Sequence, residues 1–113
     1  MAGRVVLFVT TADAPALRRA GACALAAAAM NERVDVFLFG PAAVAVTEAH
    51  GDPDHPAALL QEARSPSCRL LGRSAELLEA KVPPSRTEVA LDAVVGWATV
   101  LEWSRGVIDR FFF

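Results

Sequence analysis

The chain is poor in lysine and in long apolar runs, and each shortage excludes a class of protein. Lys81 is the single lysine, and the arginines are scattered among acidic residues in a chain whose formal net charge is −2. This pattern predicts no basic face for a phosphate backbone, so nucleic acid is not an expected partner. Charged residues interrupt the most alanine-rich stretch before it reaches the roughly 18–20 residues that a bilayer span needs. No membrane segment is predicted.

The chain has two cysteines, Cys23 and Cys68, which lie far apart in the sequence. The first residues run directly into a strand-like segment with no secretory leader, which favours a reducing cytoplasm over disulfide formation. Cys23 lies in an alanine-rich helical segment and is predicted to be a small buried residue. Cys68 begins a short strand, where core packing is favoured because a reactive thiol needs a lowered pKa.

The sequence also lacks the usual nucleotide and metal signatures. None of the seven glycines forms G-x-G-x-x-G, and no phosphate-loop glycine precedes Lys81, so no nucleotide cofactor is expected. One polar loop contains several residue types that bind metals, but their spacing matches no recognised site, and no metal is predicted. The residues of this loop are His50, Asp52, Asp54 and His55.

Apolar residues are abundant, at 54% of the composition against 21% for charged residues. A chain of 113 residues with this composition can bury one core without disulfides or metals, so residues 1–113 are predicted to form a single domain. Strand-like and helix-forming segments alternate, which implies an α/β fold with a mainly parallel sheet and helices on both faces. The predicted strands cover residues 4–10, 34–39, 68–71 and 106–113, and the predicted helices cover 16–30, 56–64 and 74–80, with Pro41 permitting a further helix to start.

The segment from residue 86 onward has two interpretations. Residues 87–91 fit either a fourth strand or the first turn of a helix that runs through Glu102. Apolar side chains on more than one side of that helix predict that a second copy covers part of its surface. These side chains are Val94, Trp97, Ala98 and Leu101 on one face, with Val95 and Trp103 away from it.

Ligands of parallel sheets bind beyond the carboxyl ends of the strands. There Arg73, Ser74 and the amide groups of the following helical turn could bind an anion, although an ordinary helix cap with a solvated arginine is the favoured interpretation. The candidate ligand-binding residues at these ends are Thr10, Thr11, Gly40, Gly72, Arg73 and Ser74.

The order of these segments resembles the DsrE/DsrF-like family of sulfur-relay proteins. The resemblance covers the strand ending in Thr10-Thr11, the alanine-rich helix, residues 34–40 and 68–77, and the closing helix with its phenylalanine-rich strand. It implies a five-stranded sheet in a three-layer sandwich and a homo-oligomer such as a trimer or hexamer. It also implies a place in cytoplasmic sulfur metabolism, with a sulfur-carrier protein as a partner.

The sulfur-relay members of that family carry a persulfide on a cysteine at the end of the third strand, just before a Gly-Arg-Ser-like turn. Here the turn is Gly72-Arg73-Ser74, so Leu71 occupies the carrier position. Cys68 lies three residues upstream, roughly 10 Å away along a strand at about 3.3 Å per residue. The resemblance therefore implies a binding or accessory protein without the usual persulfide cysteine.

Two alternatives remain open. In the first, the chain is an active sulfurtransferase in which Cys68 carries sulfur and Arg73 stabilises the anion. In the second, it is a small-ligand-binding α/β domain unrelated to sulfur, with hydrogen bonds from Thr10, Thr11, Gly40 and Ser74.

Overall fold

A computed structural model describes residues 4–30, 32–107 and 109–113. Helices and strands alternate along these residues, which confirms the predicted α/β class. In chain order the elements are β1 (Arg4–Val9), α1 (Ala14–Ala29), β2 (Arg33–Leu38), α2 (Pro41–Ala49), α3 (Ala58–Ala63), β3 (Cys68–Arg73), α4 (Ser74–Glu79), α5 (Pro84–Ala90), β4 (Ala93–Val95), α6 (Trp97–Trp103) and β5 (Asp109–Phe112).

The five strands form one sheet in the order β4-β3-β2-β1-β5, and every pair of neighbours is parallel. Each of the first four strands adds beside the one before it, because the connecting helices return the chain to the same edge of the sheet. The fifth strand instead crosses to the far side of β1, where Asp109 pairs with Val5. The predicted mainly parallel sheet is confirmed.

Helices lie on both faces of the sheet but are distributed unevenly. The first face carries the larger core, in which Leu7, Val36 and Leu70 pack beside residues of α1 to α5 such as Leu17 and Leu60. The second face carries a smaller cluster that packs against α6, made of Val6, Phe37, Leu71, Val95 and Val100. Strand alternation sends successive side chains to opposite faces, so each of the strands β1, β2 and β3 contributes to both clusters.

Local sequence determines where the helix α1 begins on the first face and how closely it packs there. Its cap is Asp13, whose carboxylate accepts the Ala16 N–H at 3.2 Å, and Pro15 lies in the first turn. Small residues then let α1 approach α3 closely. A Cβ on Gly21 would lie 2.4 Å from the Leu59 Cβ, so only glycine fits at this contact.

Residues 84–103 fold differently from both sequence interpretations. Most of residues 87–91 belong to the separate helix α5, and the fourth strand is β4, inside the segment predicted to be the last helix. The cause is a long-range contact: the Asp92 carboxylate accepts the Leu70 N–H at 2.7 Å, and the Asp92 N–H donates to the Leu70 carbonyl at 2.8 Å. This pairing holds Val94 and Val95 in extended backbone on opposite faces of the sheet, so they share no helical face.

The last strand, β5, lies at the edge of the sheet with all four residues exposed. The predicted strand at residues 106–113 is thus confirmed over Asp109–Phe112. None of the helices among the described residues is long and apolar enough to cross a membrane.

Candidate functional site

Thr10 and Gly40 follow β1 and β2 and lie next to each other at the carboxyl edge of the sheet. A Cβ on Gly40 would lie 3.6 Å from the Thr10 carbonyl oxygen, and its φ of +56° is readily adopted only by glycine. The N–H and the hydroxyl of Thr10 both donate to the Phe113 carbonyl oxygen, at 2.8 and 3.0 Å. Thr10 therefore holds Phe113, the residue after β5, against the end of β1. Thr11 beside it is exposed.

Gly72 and Ser74 are placed on the first face. A Cβ on Gly72 would lie 2.7 Å from the Leu91 Cδ1, so helix packing accounts for this glycine. Ser74 lines an apolar groove of about 330 Å³ together with Leu78 and Val94. Thr10 and Gly40 therefore adjoin each other, whereas Gly72 packs against Leu91 and Ser74 lines the groove on the first face.

A row of stacked aromatic rings follows the carboxyl edge on the second face, and we call it the aromatic row. Its ring centroids are separated by 5.1 Å, 6.2 Å and 5.3 Å in turn, within the range of favourable ring pairs. Two of its members expose much of their surface, at 74% and 54% for Phe112 and Trp97. From β5 towards β3, the aromatic row consists of Phe112, Phe8, Phe39 and Trp97.

Arg73 extends the aromatic row at its β3 end. Its guanidinium carbon lies 5.0 Å from the centroid of the Trp97 ring, a cation–π contact. Of the candidate residues named from the sequence, Arg73 is the one that the structure brings against exposed rings. The sequence places Phe8, Phe39 and Phe112 near strand ends, but only the register of three separate strands aligns them.

The pKa values of both cysteine thiols are raised, which makes the thiols less reactive. Cys68 has no exposed surface, as the core-packing prediction required. Burial, together with the nearby carboxylates of Asp92 and Asp35, raises the pKa of the Cys68 thiol to about 11. Cys23 on α1 is partly exposed rather than buried as predicted, and its partial burial raises its pKa as well. Neither environment favours the thiolate.

Leu71, which the sequence resemblance would align with a carrier cysteine, is completely buried in the cluster beneath α6. Cys68 begins the same strand but packs into the core of the first face. The two residues are therefore separated by strand length and by the sheet itself, since an odd number of steps along a strand reverses the face.

An ion-pair cluster lies at the opposite end of the second face. Asp35 is completely buried, and Arg4 and Arg69 each contact it at 2.8 Å. Burial alone would raise the pKa of Asp35, but the hydrogen bonds and charges of Arg69 and Arg4 outweigh it and lower the pKa. The Arg69 guanidinium also lies 4.3 Å above the Trp103 ring.

The polar loop after α2 uses its side chains for local hydrogen bonds. The Asp52 carboxylate accepts the Asp54 N–H at 3.0 Å, and the His55 Nδ1 accepts the Ala57 N–H at 3.1 Å. In the part of the chain that the structure describes, no three His, Cys, Asp or Glu residues are arranged to hold a metal ion.

Fold and site together define a three-layer α/β protein with an all-parallel five-stranded sheet and aromatic rings along its carboxyl edge. Its distinctive chemistry consists of ring faces, guanidinium groups and the buried thiol of Cys68. No family model matches the sequence, and no curated protein is significantly similar to it.

Proposed function

We propose that this chain is a DsrE-like binding or accessory protein of the cytoplasm that carries no sulfur on cysteine. The observation that carries the proposal is the complete burial of Cys68 on the first face, away from the carboxyl edge. The five-stranded parallel sheet with helices on both faces agrees with the architecture that the sequence resemblance implies.

The chemistry of persulfide transfer supports this choice. A thiolate is the attacking species, and a thiol with a pKa of about 11 is ionised in only about one molecule in ten thousand at pH 7. Arg73, the residue proposed to stabilise an anion on Cys68, is at the other end of β3, about 17 Å away at about 3.3 Å per residue. The sulfurtransferase alternative therefore lacks a nucleophile at the carboxyl edge.

Intact-mass spectrometry after incubation with sodium tetrasulfide tests the proposal. The Cys23→Ser variant isolates Cys68, and we expect the folded variant to gain no mass corresponding to one sulfur atom. The same variant in denaturing urea should gain that mass readily, because unfolding exposes the thiol. A sulfur adduct on the folded variant that disappears when Cys68 is also replaced by serine would refute the proposal.

We also propose that the aromatic row packs against a second copy of the chain in a trimer or hexamer. Exposed rings at a sheet end are costly to leave in water, and no strand among the described residues pairs with the outer side of β5 beside them. Leu101 on α6 adds a further exposed apolar side chain, at 63%. A small-ligand site is less well supported, because the Thr10 hydroxyl already donates to Phe113.

Sedimentation equilibrium at micromolar concentration tests this assembly. We expect a mass of three or six chains of 12.0 kDa for the unaltered protein and a single chain for a Trp97→Ser/Phe112→Ser variant. The control is Leu78→Ser, which removes an equally exposed apolar side chain on the other side of the sheet and should leave the mass unchanged. A monomeric unaltered protein, or equal dissociation of both variants, would contradict the proposed interface.

A further inference from the structure

Half of the chain's arginines meet at the amino-terminal end of the second face, although they are scattered in the sequence. Three come from adjacent inner strands, one from the edge strand β5, and one from the turn after α6. We call this group the arginine edge; it consists of Arg4, Arg33, Arg69, Arg105 and Arg110.

Sheet register brings these arginines to one side. Arg4 lies two residues before Val6, so both face the same way. Arg33 is the register partner of Arg4 on β2, and Arg110 is the partner of Val6 on β5. Register partners on neighbouring parallel strands point to the same face, and Val6 is buried on the second face.

Direct contacts connect the rest of the group. Arg4 and Arg69 share the Asp35 carboxylate. Arg4 also donates to the Arg105 carbonyl oxygen at 3.4 Å, and Arg110 donates to the carbonyl oxygen of the residue before Arg105 at 3.2 Å. The side chains of Arg4 and Arg110 thus hold the turn that contains Arg105, and all five arginines lie at this end of the sheet.

The arginine edge is strongly charged relative to the whole chain. Five arginines against one aspartate give it a formal charge of +4, and the remaining six basic and twelve acidic residues carry −6 of the total of −2. Among the described residues, the side chains of Arg33 and Arg105 form no hydrogen bond or ion pair. Gathering like charges in this way is unfavourable within the chain and creates a positive potential outside it.

We propose that the arginine edge binds an acidic segment of a partner protein. The arginines spread from β3 to β5, which is about 14 Å at three strand spacings, so several carboxylates along an extended segment fit them better than one compact oxyanion. A long nucleic acid would extend beyond the arginine edge, and the rest of the chain, with a formal charge of −6, would repel it. The Trp103 ring is not free to stack on a base, because Arg69 already covers it. The arginine edge is at the opposite strand ends from the aromatic row, so this proposal is independent of those made above.

Fluorescence anisotropy with a labelled ten-residue peptide of alternating glutamate and serine tests the proposal. We expect the Arg33→Glu/Arg105→Glu variant to bind the peptide about tenfold more weakly than the unaltered protein at ~0.1 M salt, since two attractions become repulsions. The control is Arg18→Glu/Arg19→Glu, which changes the net charge equally at two exposed positions of α1 and should weaken binding by less than about twofold. Circular dichroism checks that both variants remain folded.

Three outcomes would overturn the proposal. The first is no saturable binding of the peptide by the unaltered protein. The second is equal weakening by the two double variants, which would indicate a general effect of net charge. The third is tighter binding of an oligothymidine or of phosphatidylserine vesicles than of the peptide, lost in the Arg33→Glu/Arg105→Glu variant, which would assign the surface to a different class of anion.

Discussion

At the scale of single residues, the negative charge of Asp35 balances the positive charges of Arg4 and Arg69. Asp35 is completely buried, and removing the acidic partner of a buried ion pair leaves its bases uncompensated at a cost of several kcal/mol. Arg4 and Arg69 remain 28% and 27% exposed, which moderates that cost because water can solvate them. We therefore expect Asp35→Asn to lower the free energy of unfolding by about 2 kcal/mol.

Urea unfolding monitored by circular dichroism measures this change. The exposed Asp54→Asn is the matched control, and its effect should be within about 0.5 kcal/mol. Equal stability of the Asp35→Asn variant and the unaltered protein would show that Asp35 is not needed to balance the two arginines.

Acid should reveal the same interaction. The pKa of Asp35 is lower in the folded protein than in the unfolded chain, where it is about 4. The stabilisation is thus complete above about pH 4 and is lost as the pH falls through the lower folded value, because the unfolded state binds the proton first. We expect unfolding free energies measured from neutral pH down into acid to fall less steeply for Asp35→Asn, and parallel pH profiles would contradict this explanation.

At the scale of elements, the contact between α1 and α3 depends on Gly21. Replacing glycine by alanine inside a helix usually stabilises it by roughly 0.5–1 kcal/mol. Here the new methyl group would lie 2.4 Å from the Leu59 Cβ and 2.9 Å from the Leu60 backbone nitrogen, so the two helices must move apart. We expect Gly21→Ala to destabilise the protein by about 2 kcal/mol despite its better helix propensity.

The melting temperatures of the Gly21→Ala variant and of a control variant, Gly96→Ala, test this expectation. A Cβ on Gly96, the N-cap of α6, meets no atom within 4 Å and its φ is −100°, so the second substitution should cost no more than the weaker capping of alanine, less than about 1 kcal/mol. An unchanged or raised melting temperature for Gly21→Ala would mean that the spacing of α1 and α3 adjusts freely.

The sequence predicts those elements whose signals are local. The β-branched and aromatic runs identify β1 and β2, and Asp13 and Pro41 mark the starts of α1 and α2. The fourth strand was misplaced because it is set by the hydrogen bonds of Asp92 with Leu70, a contact between residues far apart in sequence. No local pattern distinguishes Val94-Val95 in a short strand from the same residues in a helix.

The carboxyl edge of the sheet was predictable from the sequence, but the side chains that line it were not. A parallel sheet places its strand ends together, so the carboxyl edge follows from the order of segments alone. The face to which each side chain turns depends on register, which separates Arg73 from its neighbours Gly72 and Ser74. The aromatic row and the arginine edge likewise arise only when residues from several strands are aligned.

At the scale of the whole molecule, the sheet is covered unequally. The first face supports α1 to α5, whereas the second has only α6 among the described helices. The seven residues of α6 extend about 10 Å, while the five strands span about 19 Å. Both surfaces proposed for binding, the aromatic row and the arginine edge, lie on this thinly covered face.

The strand order also has a consequence for biosynthesis. The strands β1 to β4 can pair in the order in which the ribosome makes them, but the outer edge of β1 waits for β5, whose Asp109 pairs with Val5 about 100 residues earlier. At roughly 5–20 residues per second, that edge and the Phe8 ring beside it stay open for at least about 5 seconds in each round of translation. The nascent chain is therefore most exposed to aggregation and to chaperones along the outer edge of β1, which waits for the last strand of the sheet.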